Sequence, residues 1–188
     1  MEISKFIDSM FEAKVIKNNN IFLDFDCTLV KSIDPVLNEL NRRYGTNVKP
    51  NEIKTWNFLE VNENMTTEEI EEIFASDYFY DNLEFYDGVE DFLKNHENDI
   101  IIVTKGTPLN LYKKKLWLDN KGFENIKFIG LPINVSKKFI DMSDSVFIDD
   151  STYNLKDSNA NLKIQFRQFN EENEWNKDWN GWMFTKWN

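Results

Sequence analysis

Apolar positions along the chain switch between two spacings, and the switching predicts an architecture. Phe6, Ile7, Met10, Phe11 and Val15 recur at helical spacing, which predicts a helix from Ile3 to Ile16. Asn18, Asn19 and Asn20 break it, and IFLDF, Ile21 to Phe25, then reads as a buried strand. Further apolar runs predict strands at DIIIVT (Asp99 to Thr104), IKFIG (Ile126 to Gly130), SVFIDD (Ser145 to Asp150) and LKIQF (Leu162 to Phe166). Helical stretches separate most of them. After the second strand, Thr107 and Pro108 give a cap and first-turn pair, Leu109, Tyr112 and Leu116 an apolar stripe, and Gly122 a stop. Strands alternating with helices predict an α/β fold, a parallel sheet with helices on its faces.

One segment breaks the alternation. Between Asp34 and Tyr86 no buried strand is predicted, but two helices are well signalled. In DPVLNELNRRYG, Asp34 caps, Pro35 takes the first turn, Val36, Leu37, Leu40 and Tyr44 form the stripe, and Gly45 ends it. In TTEEIEEIF, Thr66 and Glu69 have capping-box spacing ahead of Ile70, Ile73 and Phe74. An irregular loop this long is unusual inside a compact domain, so a helical insertion over the sheet is expected. With 188 residues, the division is a core of 1–33 and 87–188 carrying a cap of 34–86.

Charge and cysteine content narrow the function. Against 22 basic residues stand 33 acidic ones, a net charge of -11, which repels a nucleic-acid backbone. Small anionic ligands remain open if a metal ion or dedicated lysines receive them. A single Cys27 excludes an internal disulfide and suits a reducing compartment. MEISKFIDSM is not a signal peptide, and no apolar run reaches the length of a membrane span, so a cytoplasmic protein is expected, monomer or homodimer.

Candidate chemistry gathers at strand ends, where open parallel sheets bind ligands. Asp24 and Asp26 close the first strand, Thr104 the second, and Asp149 and Asp150 the fourth, with Lys137 and Lys138 just before it. Carboxylates of Asp24 and Asp149, with a backbone carbonyl and waters, suit a Mg²⁺ site that receives a phosphate oxygen. Thr104 and the amides of Lys105 and Gly106 can donate to phosphate, and Lys137 or Lys138 adds positive charge. Asp24 can then attack phosphorus as nucleophile, and Asp26 can protonate the leaving oxygen and later deprotonate water.

Those residues form a known pattern. DFDCT (Asp24 to Thr28), VTKGT (Val103 to Thr107), a lysine and FIDD (Phe147 to Asp150), in this order, resemble the motifs of the haloacid dehalogenase (HAD)-like phosphatase superfamily. The resemblance implies a Rossmann-like core, a nucleophilic Asp24, an acid/base Asp26, and a Mg²⁺ site of Asp24, Asp26 and Asp149 with Asp150 behind it. It also implies that the helical insertion is a cap that closes over the substrate. TWNF (Thr55 to Phe58) and FYDGVEDFL (Phe85 to Leu93) look like the 5'(3')-deoxyribonucleotidase branch, bacterial and phage relatives included. A nucleoside monophosphate substrate is therefore expected, with Trp56 and Phe58 as base contacts. The alternatives are a sugar phosphate, a nucleic-acid 3'-phosphate end, or an inactive scaffold that only binds.

Rival motifs fail on spacing. A calcium loop starting at Asp24 would have Leu29 where glycine is needed and Pro35 where glutamate is needed. Neither GxxxxGK[ST] nor GxGxxG occurs. A phospho-acceptor receiver domain has its acidic pair early and needs no helical insertion, whereas here Asp149 and Asp150 follow the lysine. His96 is expected at an exposed helix end. The tail EWNKDWNGWMFTKWN, with Trp175, Trp179, Trp182 and Trp187, is expected to pack against the sheet.

Overall fold

A computed structural model describes residues 2–14, 16–17, 19–167 and 174–188. Its six strands are β1 (Ile21–Leu23), β2 (Ile100–Gly106), β3 (Lys127–Pro132), β4 (Val146–Asp149), β5 (Leu162–Phe166) and β6 (Trp182–Phe184). All pair in parallel, in the order β3-β2-β1-β4-β5-β6. The expected α/β architecture holds. Strand β1 lies at the centre, where Phe22 pairs with Ile101 on one side and Phe147 on the other. Its uninterrupted apolar sequence suits a strand covered on both faces.

Strand β1 stops at Leu23, two residues before the expected end at Phe25. The Asp24 N–H still donates to the Ile148 carbonyl at 2.9 Å, after which the chain turns away. Leu29 and Val30 both bond the Phe25 carbonyl, and Cys27 takes a positive φ of 54° within that turn. The carboxylates after β1 therefore sit on a tight loop at the sheet's edge.

Seven α-helices complete the described residues: α1 (Ile3–Glu12), α2 (Ile33–Tyr44), α3 (Thr67–Phe74), α4 (Asp77–Asp81), α5 (Val89–Asn95), α6 (Pro108–Asn120) and α7 (Thr152–Asp157). Helix α1 ends sooner than its apolar spacing predicts, closing at Ala13 with Lys14 at a φ of 53°. Val15 and Asn18 lie outside the described residues. Helix α2 begins just after Ser32, which makes no side-chain cap bond, so Asp34 lies inside its first turn, and Gly45 ends it in the left-handed region at a φ of 67°. The box at α3 forms as expected: Glu69 N–H donates to Thr66 Oγ1 at 3.2 Å and Thr66 N–H to Glu69 Oε2 at 3.1 Å. With α2, α3 and α4, the stretch between β1 and β2 is helical and shares the main core through Ile53, Ile73 and Phe79.

Three expectations need correction. Leu109, Tyr112 and Leu116 form no buried stripe on α6, and Tyr112 is 65% exposed. The buried face is instead Asn110, Lys114, Trp117 and Leu118: the first two line the cleft at the sheet's edge and the last two pack in the core. His96 is buried rather than exposed: Ser4 Oγ lies 2.7 Å from its Nε2 and Phe92 packs on its ring at 4.7 Å. The tail does more than pack, since Trp182–Phe184 adds a sixth strand to β5. Trp182 is largely exposed on that edge, so burial patterning gave no strand signal there. Trp175 and Trp187 do bury, and Trp187 Nε1 donates to the Thr28 carbonyl at 3.0 Å. Among the described residues no helix is long and apolar enough to cross a membrane.

Two substitutions test this packing by chemical denaturation. Trp187→Ala removes a buried ring and its hydrogen bond and should cost about 3–5 kcal/mol. Tyr112→Ala should change stability by less than about 0.5 kcal/mol, as for a surface position. A large loss from Tyr112→Ala would restore the apolar stripe and contradict the observed face of α6.

Candidate active site

Because β1 and β4 are neighbours, the residues that follow them share one edge of the sheet. Asp24, Asp149 and Asp150 each offer a carboxylate oxygen, all within 4.8 Å of one another, and all three residues are buried. One cation sits among them. Lys137, on a 3-10 turn (Lys137–Phe139), is 2% exposed and donates to Asp24 Oδ1 at 2.5 Å and Asp149 Oδ2 at 2.7 Å. Lys138 points away, its Nζ over the Phe139 ring at 5.5 Å. Of the two lysines, the structure brings only Lys137 to the aspartates.

The remaining bonds fix the orientation of each acid. Asp149 Oδ1 accepts the Ser151 N–H at 2.8 Å, and Asn154 Nδ2 donates to both carboxylate oxygens at 3.1 and 3.2 Å. Thr28 Oγ1 accepts the Asp150 N–H at 3.0 Å, and its hydroxyl reaches Asp150 Oδ1 at a long 3.5 Å. Asp150 Oδ2 is buried with no hydrogen-bond partner among the described residues. A buried orphan oxygen is costly, and three hard oxygen donors around it can hold a divalent cation. Asp150 thus stands beside Asp24 and Asp149 in the cluster.

Asp26, expected among the metal ligands, turns its carboxylate elsewhere. Oδ1 accepts from Ser32 Oγ at 2.8 Å, and Oδ2 pairs with Lys114 Nζ. Lys114 is fully buried and also donates to Thr104 Oγ1 at 3.0 Å and the Lys105 carbonyl at 2.9 Å. Neither Lys114 nor Asn154 was singled out by motif reading. The signal for Lys114 was its spacing with Asn110, Trp117 and Leu118, one helix face that mixes polar and apolar residues.

A cleft of about 410 Å³ opens above this floor. Thr104, Lys105 and Gly106 line it, and a Cβ at Gly106 would meet Asn110 Oδ1 at 2.2 Å, so a side chain here would have to displace the Asn110 amide. Trp56 forms part of the wall, its ring 5.0 Å from Trp175, which ties the wall to the tail. Phe58 is not on the cleft. It is completely buried beneath Trp56, the two rings 6.4 Å apart, so of the two expected base contacts only Trp56 faces the space.

Crowding of charge perturbs the acids. Burial pushes the Asp24 carboxyl up to about 7, against the pull of Lys137 and with the help of Asp149 and Asp26. Burial, then Asp149 and Asp24, also hold Asp150 well above the carboxylate range. Burial opposes the charge on Lys137, but Asp149 and Asp24 outweigh it and raise its pKa.

A sequence-family model described as "5' nucleotidase, deoxy (Pyrimidine), cytosolic type C protein" matches residues 18–182. No curated protein matches the chain at a significant level. Solved structures with the same fold include a HAD-superfamily hydrolase, subfamily IA, from Geobacter sulfurreducens, with TM-score 0.52, 13% identity, and coverage of 80% of this chain and 88% of that one. A predicted phosphoglycolate phosphatase from Haemophilus somnus gives 0.53, 15%, 80% and 85%. The protein YfnB from Bacillus subtilis, named as a HAD-hydrolase and bound to magnesium in its crystal, gives 0.53, 13%, 79% and 86%. At these identities the likeness is one of fold, a HAD-type Rossmann-like sheet.

Stability of the metal-free protein should report the buried acids. Asp24 and Asp150 keep protons in the folded state that the unfolded chain, with an ordinary aspartate pKa of about 3.8, has already released. Their contribution is complete below that value and is lost as pH rises through the folded value, about 7 for Asp24. In EDTA the Tm should therefore fall between pH 5 and 8, millimolar Mg²⁺ should restore it, and Asp150→Asn should flatten the decline. A Tm in EDTA that rises over this range would contradict the assignment.

Proposed function

The chain belongs to the family of 5' nucleotidase, deoxy (Pyrimidine), cytosolic type C proteins, a group of phosphatases, and from that premise we propose that it hydrolyses deoxynucleoside monophosphates through an aspartyl-phosphate. The observation that carries the reading is Lys137 bridging Asp24 and Asp149 at the floor of a cleft walled by Trp56.

Asp24 attacks phosphorus, the ester P–O bond breaks, and the leaving oxygen takes a proton from Asp26. Asp26 then accepts a proton from water as the water oxygen attacks phosphorus, and cleavage of the P–O bond to Asp24 regenerates the carboxylate and releases phosphate. Thr104 and the amides of Lys105 and Gly106 orient the phosphate, and Lys137 offsets its charge. Asp24, Asp149 and Asp150 would hold Mg²⁺, which supplies further positive charge against the phosphate oxygens. Lys114 and Ser32 hold Asp26 in a fixed orientation, aimed toward the cleft. Residues 34–86 act as a cap that shields the reaction from water and presents Trp56 to the base. A single reduced Cys27 fits a protein working in the cytoplasm.

Phosphate release from 5'- and 3'-monophosphates of deoxy- and ribonucleosides, sugar phosphates and a 3'-phosphorylated oligonucleotide, with Mg²⁺ and with EDTA, tests the proposal. Metal-dependent release concentrated on deoxynucleotides is expected. Release only from sugar phosphates or oligonucleotide ends would replace the substrate class, and release from none would favour a binding scaffold. Asp24→Asn should cut turnover by roughly three or more orders of magnitude with the fold intact. Lys137→Met should cost roughly 10²–10³-fold and Lys138→Met should stay close to wild type; the reverse order would exclude Lys137 as the phosphate-side cation.

A further inference from the structure

Helix α3 presents one face to the cleft. Thr67, Ile70, Glu71 and Phe74, at spacings of three, four and seven, all line it. Glu71 is the one acid on that face, and it is half-buried. Its neighbours on the helix are engaged elsewhere: Glu69 accepts from Tyr44 Oη at 2.5 Å, and Glu72 lies 3.9 Å from Arg43. Among the described residues the Glu71 carboxylate has neither a cation nor a hydrogen-bond donor.

A lone carboxylate on the wall of a phosphate-binding cleft repels the ligand's own charge. Its presence favours a ligand that brings an N–H donor to that place. The surroundings indicate which part of the ligand arrives there. Trp56 and Phe74, centroids 6.1 Å apart and inclined at 55° to one another, line the cleft with two aromatic rings, either of which a planar heterocycle can stack on, and Glu71 lines the same cleft one turn of helix from Phe74. An exocyclic amino group donates to a carboxylate, whereas a ring carbonyl at the same place faces it lone pair to charge. Resting on the nucleotidase reading, we infer that Glu71 is a specificity-determining residue that selects an amino-bearing base, cytosine over uracil or thymine among pyrimidines.

The test is kcat/KM for dCMP and dUMP in the wild type and in Glu71→Gln. A charged hydrogen bond gained by one base and denied to the other predicts a wild-type preference for dCMP of about ten- to a hundredfold. Glutamine can donate as well as accept, so in the variant the ratio should move toward one, with dUMP improving in absolute terms. A merely structural role for Glu71 would lower both substrates together and leave the ratio in place. Competitive inhibition by deoxycytidine and deoxyuridine should show the same shift without turnover. Equal use of the two bases, a preference for dUMP, or a ratio unmoved by Glu71→Gln overturns the assignment while leaving the nucleotidase reading intact. A variant that changes the CMP to dCMP ratio instead would overturn it by assigning Glu71 to the sugar. Hydrolysis of neither nucleotide, with other phosphomonoesters turned over, would overturn both.

Discussion

Three carboxylates gathered around one ammonium set the terms for the rest of this protein. Asp24, Asp149 and Asp150 are buried together with Lys137, and carboxylates gathered this closely cannot all stay ionised without cost. Such an arrangement persists only if the surrounding chain fixes it. Adjacent parallel strands do so from two sides: β1 delivers Asp24, β4 delivers Asp149 and Asp150, and their shared register aligns Leu23 with Ile148 just before both sets of acids. Asn154 and the Ser151 N–H then donate to the Asp149 carboxylate, and Thr28 holds the Asp150 backbone by accepting its N–H. What they leave, the orphan oxygen of Asp150, is the place where a divalent cation would relieve the repulsion.

Asp26 is spared this crowding although it lies two residues from Asp24. Its carboxylate has a lysine of its own, Lys114, delivered from α6 and locked by Thr104 and the Lys105 carbonyl. Two charge centres therefore stand side by side, one suited to a metal and a nucleophile, the other to proton transfer. The separation follows from the fold, because the tight turn after β1 aims successive acids in different directions while α6 packs beside β2.

How much of this could be read from the chain depended on the kind of signal. Apolar runs such as IFL and VFID located β1 and β4, since strands covered on both faces carry little else. The acids after them could be placed because strand ends in a parallel sheet share an edge. Lys114 was hidden for the opposite reason: the buried face of α6 mixes Asn110 and Lys114 at the cleft with Trp117 and Leu118 in the core, so apolar spacing singles out the exposed Leu109, Tyr112 and Leu116 instead. Position 137 could not be told from 138 by spacing, because the choice rests on a 3-10 turn capped by Ser136. His96 and β6 were missed on similar grounds: one is a polar group buried between Ser4 and Phe92, the other a short edge strand whose Trp182 and Met183 stay exposed.

Whether Asp24 carries the phosphoryl group is decided by trapping the intermediate. Turnover of deoxynucleotide is stopped by denaturation within the steady state, the acyl-phosphate is reduced with borohydride, and the peptide spanning β1 is read by mass spectrometry. Conversion of Asp24 to homoserine is predicted, present with substrate and absent without it. Turnover with no modification at position 24, or with modification at Asp26 or Asp149 instead, would contradict the account.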